Sequence, residues 1–229
     1  MVRLGRRGAQ RRVRGATRTG EEPPVEDSET SLELIEDCKY WAVYRMSGLP
    51  TFDEVYEEVD ELVGRGKITI WNRTVDVPRD TLTVSDDIDY RTNLPSGSGF
   101  NYSTMPHAEW KDVPLVRGIR DELQSRYSTT FNYAAINVYR DGKDYISWHA
   151  DKEGLTAKQL VSTAVYSVTF GCTRAFKFRR TRSKEVVRTY ELEDSTLLIM
   201  KPGCQERYEH HVPKRANATT RINITFRVQ

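Results

Sequence analysis

Two short segments of this chain carry residues whose types and spacing can hold a metal ion. In His149-Ala-Asp151 an imidazole and a carboxylate stand two residues apart, so on a β-strand both side chains point to the same face. The second segment contains His210 and His211, of which only one can reach that metal because neighbouring strand residues face opposite ways. Two His and one carboxylate that leave three positions open form the facial triad of non-haem Fe(II) oxygenases. The alternative for His149 and Asp151 is a hydrogen-bonded surface pair.

The end of the chain alternates strictly between apolar and polar residues, as a strand with two different faces does. Ile222, Ile224, Phe226 and Val228 form one face, and Arg221, Asn223, Thr225 and Arg227 form the other. If the polar face lines a barrel, its two guanidinium groups need anions, because burying an unpaired charge is costly. A dicarboxylate cosubstrate would supply them, since arginine binds carboxylates through two parallel hydrogen bonds. The alternative is a polar face that meets solvent.

The elements that must position these residues are predicted to be short strands. Runs rich in Val, Ile, Thr, Tyr and Phe cover 132–139, 144–149, 163–170, 174–180, 185–192, 195–200, 207–212 and 219–228. Turn residues such as Asp141-Gly142 and Pro202-Gly203 separate them. Eight short strands without intervening helices predict a closed or double-sheet β structure such as a jelly roll.

Before residue 131 the pattern predicts two amphipathic helices. The first begins at a capping box formed by Thr51 and Glu54 and ends at Gly64. The second is capped by Asp112 and runs to about residue 127. Other segments of this region are predicted as short strands at 68–71 and 75–77 and as a long surface loop at 85–99.

Taken together, the motifs resemble those of the AlkB family of Fe(II)- and 2-oxoglutarate-dependent dioxygenases. The matching segments are Asn137-Val-Tyr139-Arg-Asp-Gly142, Trp148-His-Ala-Asp-Lys-Glu153, Ser167-Val-Thr-Phe-Gly171 with Arg174-Ala-Phe-Lys-Phe-Arg179, His210-His-Val-Pro213 and Arg221-Ile-Asn-Ile-Thr-Phe-Arg227. They occur in the family's order and cover essentially all of 131–229. The resemblance implies an α+β fold that is mainly β, a double-stranded β-helix (jelly roll) with an N-terminal helical and hairpin region for nucleotide recognition.

The resemblance also implies which residues would bind iron and carry catalysis. These are His149, Asp151 and His210. His210 is preferred to His211 because the family's ligand stands three residues before a proline, here Pro213.

The cosubstrate 2-oxoglutarate would be held by residues of two strands. By the resemblance, Arg221 would bind its far carboxylate, and Arg227 would lie near the carboxylate that chelates iron. Further contacts would come from Asn137, Tyr139, Asn223 and Thr225. Core and turn support is the alternative role for Asn137 and Tyr139.

Four residues are candidates for contact with substrate. Glu153 would place a carboxylate beside a cationic methylated base. Phe100 and Tyr102 resemble the family's aromatic lid, in which a ring could stack on an extruded base. Trp71 lies in a hairpin where duplex-repair members carry an intercalating wedge. The alternatives are an exposed loop acid for Glu153 and core packing for the three aromatic residues.

The function implied by the resemblance is oxidative demethylation of N-alkylated bases, of the N1-methyladenine or N3-methylcytosine type, in DNA or RNA. Such an enzyme uses Fe(II), O₂ and 2-oxoglutarate, and it releases formaldehyde, succinate and CO₂. Two alternatives stay open: a regulatory RNA or tRNA base demethylase or hydroxylase, and a non-catalytic nucleic-acid-binding homologue. The intact metal motif argues against the second alternative.

The formal net charge of +2 on 229 residues conceals an uneven distribution. Residues 1–20 contain seven Arg and no acid, residues 21–38 contain eight acids and no base, and residues 39–229 therefore carry +3. Without periodicity, residues 1–38 are predicted to form a disordered basic-then-acidic arm. We expect a nucleotide-recognition lid with supporting helices at 39–130 and the dioxygenase core at 131–229.

The remaining composition bounds the surroundings of the protein. No apolar run reaches the length of a transmembrane helix, so a membrane partner is not expected. The three cysteines are odd in number and widely spaced, which predicts unpaired thiols in a reducing intracellular compartment. That compartment would be the nucleus in a eukaryote and otherwise the cytoplasm, and we expect a monomer.

Overall fold

The structure, a computed structural model, describes residues 30–70, 73–86, 105–152 and 156–228. Its strands are β1 (Leu32–Asp37), β2 (Trp41–Met46), β3 (Lys67–Ile70), β4 (Arg73–Asp76), β5 (Asp80–Val84), β6 (His107–Ala108), β7 (Tyr133–Tyr139), β8 (Ile146–His149), β9 (Val165–Gly171), β10 (Arg174–Arg180), β11 (Val186–Leu192), β12 (Thr196–Met200), β13 (Tyr208–Val212) and β14 (Arg221–Arg227). Its α-helices are α1 (Phe52–Val59), α2 (Pro114–Tyr127), α3 (Ala157–Ser162) and α4 (Cys204–Arg207), with a 3-10 helix at Trp110–Asp112. No helix in these ranges is long and apolar enough to cross a bilayer.

Two sheets make up the body of the molecule. The larger sheet has eight strands in the order β1-β2-β12-β9-β14-β7-β5-β6, and the smaller has four in the order β11-β10-β13-β8. Strands β3 and β4 form a separate hairpin. Neighbouring strands are antiparallel except β5 and β6, which are parallel. The predicted jelly roll that is mainly β is therefore confirmed, and each of the eight strands expected after residue 131 is present.

β14 lies in the middle of the larger sheet, between β9 and β7. All seven of its residues are buried, so the alternative of a polar face in solvent is wrong. Ile222, Ile224 and Phe226 join an apolar cluster with residues of α1 and α2. Because side chains alternate along a strand, the polar residues of β14 point to the opposite side, toward the smaller sheet.

Helix α1 begins as the sequence predicts. The Thr51 hydroxyl accepts the N–H of Glu54 at 3.3 Å, and the Glu54 carboxylate accepts the N–H of Thr51 at 2.7 Å, which is the predicted capping box. The helix ends at Val59, earlier than predicted, and its buried residues Val55 and Val59 pack against the larger sheet.

Helix α2 does not begin at the predicted cap. Asp112 belongs to the 3-10 helix, and α2 starts at Pro114. The N–H that proline lacks would have no hydrogen-bond partner within the first turn of a helix. The carboxylate of Glu58 in α1 instead accepts the N–H groups of Leu115 at 2.6 Å and Val116 at 3.0 Å. Because the carboxylate that caps α2 comes from another helix, the sequence near the start of α2 does not show it. The prediction of Asp112 as the cap was therefore wrong.

The prediction of disorder through residue 38 is wrong for residues 32–37, which form β1. This segment pairs antiparallel with β2 along the edge of the larger sheet. Two of its three acids pair with cations that are distant in sequence, Glu36 with Arg188 and Asp37 with Lys201. The acidic composition alone did not reveal that most of this charge is paired.

Residue 131 is not a boundary between sheets. Strands β1, β2, β5 and β6 precede it, and they belong to the same sheet as β7, β9, β12 and β14. The run of strands after residue 131 is also interrupted, contrary to expectation, by the short helices α3 and α4. With six and four residues, these helices are too short to produce a helical period in the sequence.

Two glycine substitutions should change stability in opposite directions. A Cβ at Gly142 would lie 1.7 Å from the backbone oxygen of Arg215, so Gly142→Ala should lower the free energy of unfolding by about 1–3 kcal/mol. A Cβ at Gly118, exposed on α2, meets nothing within 4 Å, so Gly118→Ala should raise it by about 0.5–1 kcal/mol. Urea denaturation followed by circular dichroism measures both, and equal effects would contradict the turn geometry.

Candidate metal and cosubstrate site

A cavity of about 520 Å³ lies between the two sheets. Its walls come from β7 and β14 of the larger sheet and from β8 and β13 of the smaller one. Residues 75–79 and Met105 line it as well. The volume falls within the range of roughly 300–1,000 Å³ that small-molecule sites occupy.

His149, Asp151 and His210 meet at this cavity, and one donor atom of each lies within 4.8 Å of the others. His149 ends β8 and pairs across the sheet with His210 of β13. The Asp151 carboxylate lies 3.7 Å from the Nε2 atom of each imidazole. Three donors that converge from one side leave the opposite side open, as a facial metal site requires.

Both imidazoles can present a lone pair to a metal. The Nδ1 atom of His149 lies 2.8 Å from the carbonyl oxygen of Ser147, which can only accept, so Nδ1 carries the proton and Nε2 is free to bind. Burial lowers the pKa of His210 well below its ordinary value, and the nearby His149 and Arg227 lower it further. His210 is therefore neutral at physiological pH, the form that binds metals.

Asp151 is also close to the last residue of β14. The Nη1 atom of Arg227 lies 3.4 Å from Asp151 Oδ1, and Arg227 is only 3% exposed. Arg227 also lines the cavity. The guanidinium thus contacts the same carboxylate that faces the two imidazoles.

Arg221, at the other end of β14, is fully buried. Its Nη2 donates to the Thr169 hydroxyl at 2.9 Å, while Nε and Nη1 have no hydrogen-bond partner among the described residues. Burial lowers the pKa of Arg221 to about 10, so it remains a cation at neutral pH. A buried cation with two unused donor atoms fits the carboxylate of 2-oxoglutarate, because such a group supplies both the charge and the acceptors.

The other predicted cosubstrate residues lie along β7 and β14. Asn137 and Asn223 are cross-strand partners, and both line the cavity together with Tyr139 and Thr225. The Asn223 amide donates to Ser167 Oγ at 2.7 Å and accepts from the Thr225 hydroxyl at 3.3 Å. The guanidinium carbons of Arg174 and Arg221 lie 5.6 and 5.4 Å from the centre of the Tyr139 ring.

The predicted substrate residues Trp71, Phe100, Tyr102 and Glu153 all lie outside the described residues. Their roles stay predictions. Within the described part, Val75, Asp76 and Met105 also line the cavity.

Three residues near the site were given no role in the metal or cosubstrate site by the sequence. Arg79 donates from Nε to the Asn137 amide oxygen. Gln205 accepts the backbone N–H of Asp151 at 2.9 Å. The ring of Trp148 stacks on that of His211 with ring centres 4.1 Å apart, and His211 is not among the residues that line the cavity. Single polar residues between elements have no periodic signal, so only the His149–Trp148 adjacency could have suggested any of them.

Two mainly antiparallel sheets, a His-x-Asp…His cluster and a buried arginine on a central strand are the features of the class of Fe(II)- and 2-oxoglutarate-dependent oxygenases. The family model described as the 2OG-Fe(II) oxygenase superfamily matches residues 58–227. Among curated relatives, the DNA oxidative demethylase ALKBH2 of Mus musculus is 31% identical over 202 residues, 83% of this chain and 79% of the relative. The Alpha-ketoglutarate-dependent dioxygenase alkB homolog 3 of Mus musculus is 31% identical over 169 residues, which are 66% of this chain and 57% of the relative.

The solved structure of OsALKBH1 has the same fold, with a TM-score of 0.56 and 16% identity over 86% of this chain and 100% of that one. The chain belongs to the AlkB family of Fe(II)- and 2-oxoglutarate-dependent dioxygenases. Its cofactor is accordingly Fe(II) and its cosubstrate 2-oxoglutarate.

The two adjacent histidines should respond differently to truncation. His210→Ala removes an imidazole that faces Asp151 and should abolish Fe(II) binding in an anaerobic titration. His211→Ala removes a ring that stacks on Trp148 outside the cavity and should leave the Fe(II) Kd within about twofold. If the two results were exchanged, His211 would be the ligand.

Truncating Arg221 should weaken 2-oxoglutarate binding without destabilising the free protein. Arg221→Met removes the buried cation and should cost about 2–5 kcal/mol of 2-oxoglutarate binding free energy, measured by calorimetry under anaerobic conditions. Without cosubstrate, its melting temperature should stay or rise, because an unpaired buried charge is lost. Arg215→Met, which removes a half-exposed guanidinium paired with Glu191, is the matched control. Equal affinities would remove Arg221 from the cosubstrate site.

Proposed function

We propose that this protein demethylates N-alkylated bases of nucleic acids, of the N1-methyladenine or N3-methylcytosine type. The observation that carries the proposal is the combination of the His149, Asp151 and His210 cluster with the buried, partly unpaired guanidinium of Arg221. The substrate class rests on the relative named DNA oxidative demethylase ALKBH2.

In this proposal each of these groups has a separate task. His149, Asp151 and His210 hold Fe(II) from one side, and Arg221 holds the far carboxylate of 2-oxoglutarate. Fe(II) with 2-oxoglutarate and O₂ supplies the oxidising power that hydroxylates a C–H bond. Arg227 contacts the Asp151 carboxylate and keeps it oriented, while the apolar walls of the cavity limit the access of water.

The methyl group must reach the cluster, and a base inside a duplex cannot do so. A target base would therefore enter the cavity in an extruded or single-stranded form, past the wall at Val75, Asp76 and Met105. Hydroxylation of the N-methyl group gives a hemiaminal, and its C–N bond breaks to release formaldehyde and the unmodified base. The chain's part is to place the methyl carbon beside the metal and to keep the base still.

We also propose that the protein is a monomer and that it resides in a reducing compartment. Cys38, Cys172 and Cys204 are free thiols, and Cys204 is buried. Burial raises the pKa of Cys204, so this thiol stays protonated and unreactive.

Release of formaldehyde from a matched set of oligonucleotides tests the proposal. The set contains one sequence with N1-methyladenine or N3-methylcytosine as single-stranded DNA, duplex DNA and RNA, together with the unmodified forms. We expect formaldehyde in one-to-one ratio with the base restored, and only from methylated strands.

The His210→Ala protein is the control for contaminating activity, and it should release no formaldehyde. Succinate formed at the same rate with methylated and unmodified strands, without formaldehyde, would overturn the proposed substrate. It would leave the oxygenase assignment intact.

A further inference from the structure

The three residues of the metal cluster differ in how their backbones are held. His149 and His210 are cross-strand partners in β8 and β13, so the sheet fixes their spacing. Asp151 follows the end of β8 and has no place in the pairing between β8 and β13. Asp151, which carries the negative charge, is therefore the one of the three residues whose backbone is not held by strand pairing.

The backbone of Asp151 is held instead by a hydrogen bond to a buried side chain, that of Gln205. Gln205 is 2% exposed, and its Oε1 accepts the backbone N–H of Asp151 at 2.9 Å. Its Nε2 donates to the Met200 sulfur at 3.2 Å. Since the Asp151 N–H can only donate, the amide must keep its oxygen toward Asp151 and its nitrogen toward the weak acceptor.

The position of Gln205 in the chain gives this bond its effect. Gln205 lies in α4, the four-residue helix that leads directly into β13 and so to His210. Met200, at the other end of the amide, closes β12 and lines the cavity. One carboxamide thus joins the backbone of Asp151 to the segment that carries His210.

We propose that Gln205 is a positioning residue for the metal site, which holds the backbone of Asp151 so that its carboxylate stays between the two imidazoles. The inference rests on the proposed iron site and is independent of the substrate. Groups that hydrogen-bond to metal-binding residues typically change metal affinity by about 10–100-fold when removed. Gln205 touches no metal or substrate, so its effect is on the affinity for Fe(II) and on the iron dependence of turnover.

Anaerobic Fe(II) titration of the metal-free full chain, with saturating 2-oxoglutarate and no nucleic acid, tests the inference. Gln205→Met keeps the length of the side chain but removes the acceptor, and we expect an Fe(II) Kd about tenfold weaker. Turnover of this variant should recover when Fe(II) is raised, since the chemistry itself is untouched. A variant that had merely lost folded protein would not recover.

Gln124→Met is the matched control, because Gln124 likewise accepts a backbone N–H, that of Phe131 at 2.7 Å, at the end of α2. It should leave the Fe(II) Kd within twofold of the parent. If Gln205→Met does not fold, Gln205→Asn keeps the amide with a shorter reach and should weaken Fe(II) binding in the same direction.

An Fe(II) Kd for the Gln205 variant within twofold of the parent would overturn the inference, and so would an equal loss in Gln124→Met. Neither result depends on nucleic acid. A failure here therefore leaves the proposed demethylation untouched, and a failure to demethylate leaves the result for Gln205 untouched.

Discussion

A fully buried guanidinium must be compensated, and Arg221 places that constraint at the centre of this fold. Desolvating an ion costs several kcal/mol, which the strand offsets on its other face. There Ile222, Ile224 and Phe226 are completely buried against the helices and contribute about 1.5–3 kcal/mol each. β14 can therefore remain in the middle of the larger sheet although its polar face carries a buried cation. The apolar side chains that stabilise the fold and the buried guanidinium therefore lie on opposite sides of one strand.

The distance between the two halves of the site depends on aromatic packing between the sheets. Trp41 of the larger sheet stacks on Phe178 of the smaller one, with ring centres 4.3 Å apart and planes within 6°. Phe176, the neighbour of Phe178 on the same face of β10, stacks in turn on His210 at 5.1 Å. The metal cluster on the smaller sheet is thereby held at a set separation from the cosubstrate residues of the larger sheet. Packing of this kind resists compression, since protein interiors are as dense as organic crystals.

Residues that repeat with a period, or that carry a motif, could be predicted from the sequence. The strict alternation from Arg221 to Arg227 and the capping box at Thr51 both act locally, and both elements formed as expected. The sequence could not reveal contacts between distant segments. Glu58 caps a helix 57 residues away, and Arg188 neutralises Glu36 across 152 residues. For this reason the acidic segment that forms β1 was predicted to belong to a disordered arm. Gln205 was not distinguished from other polar residues.

The edge strand β1 has a consequence for the behaviour of the protein at high concentration. Among the described residues no strand pairs with the outer edge of β1, and such an edge, with Leu34 and Ile35 55% and 52% accessible, is a template on which another chain can add a strand. Two features oppose this. The pairing of β1 with β2 shifts register between Leu34 and Glu36, which bends the edge, and the strand also carries Glu33, Glu36 and Asp37. Glu36 and Asp37 already pair with Arg188 and Lys201, so Glu33 is the acid whose repulsion would oppose the approach of two such edges.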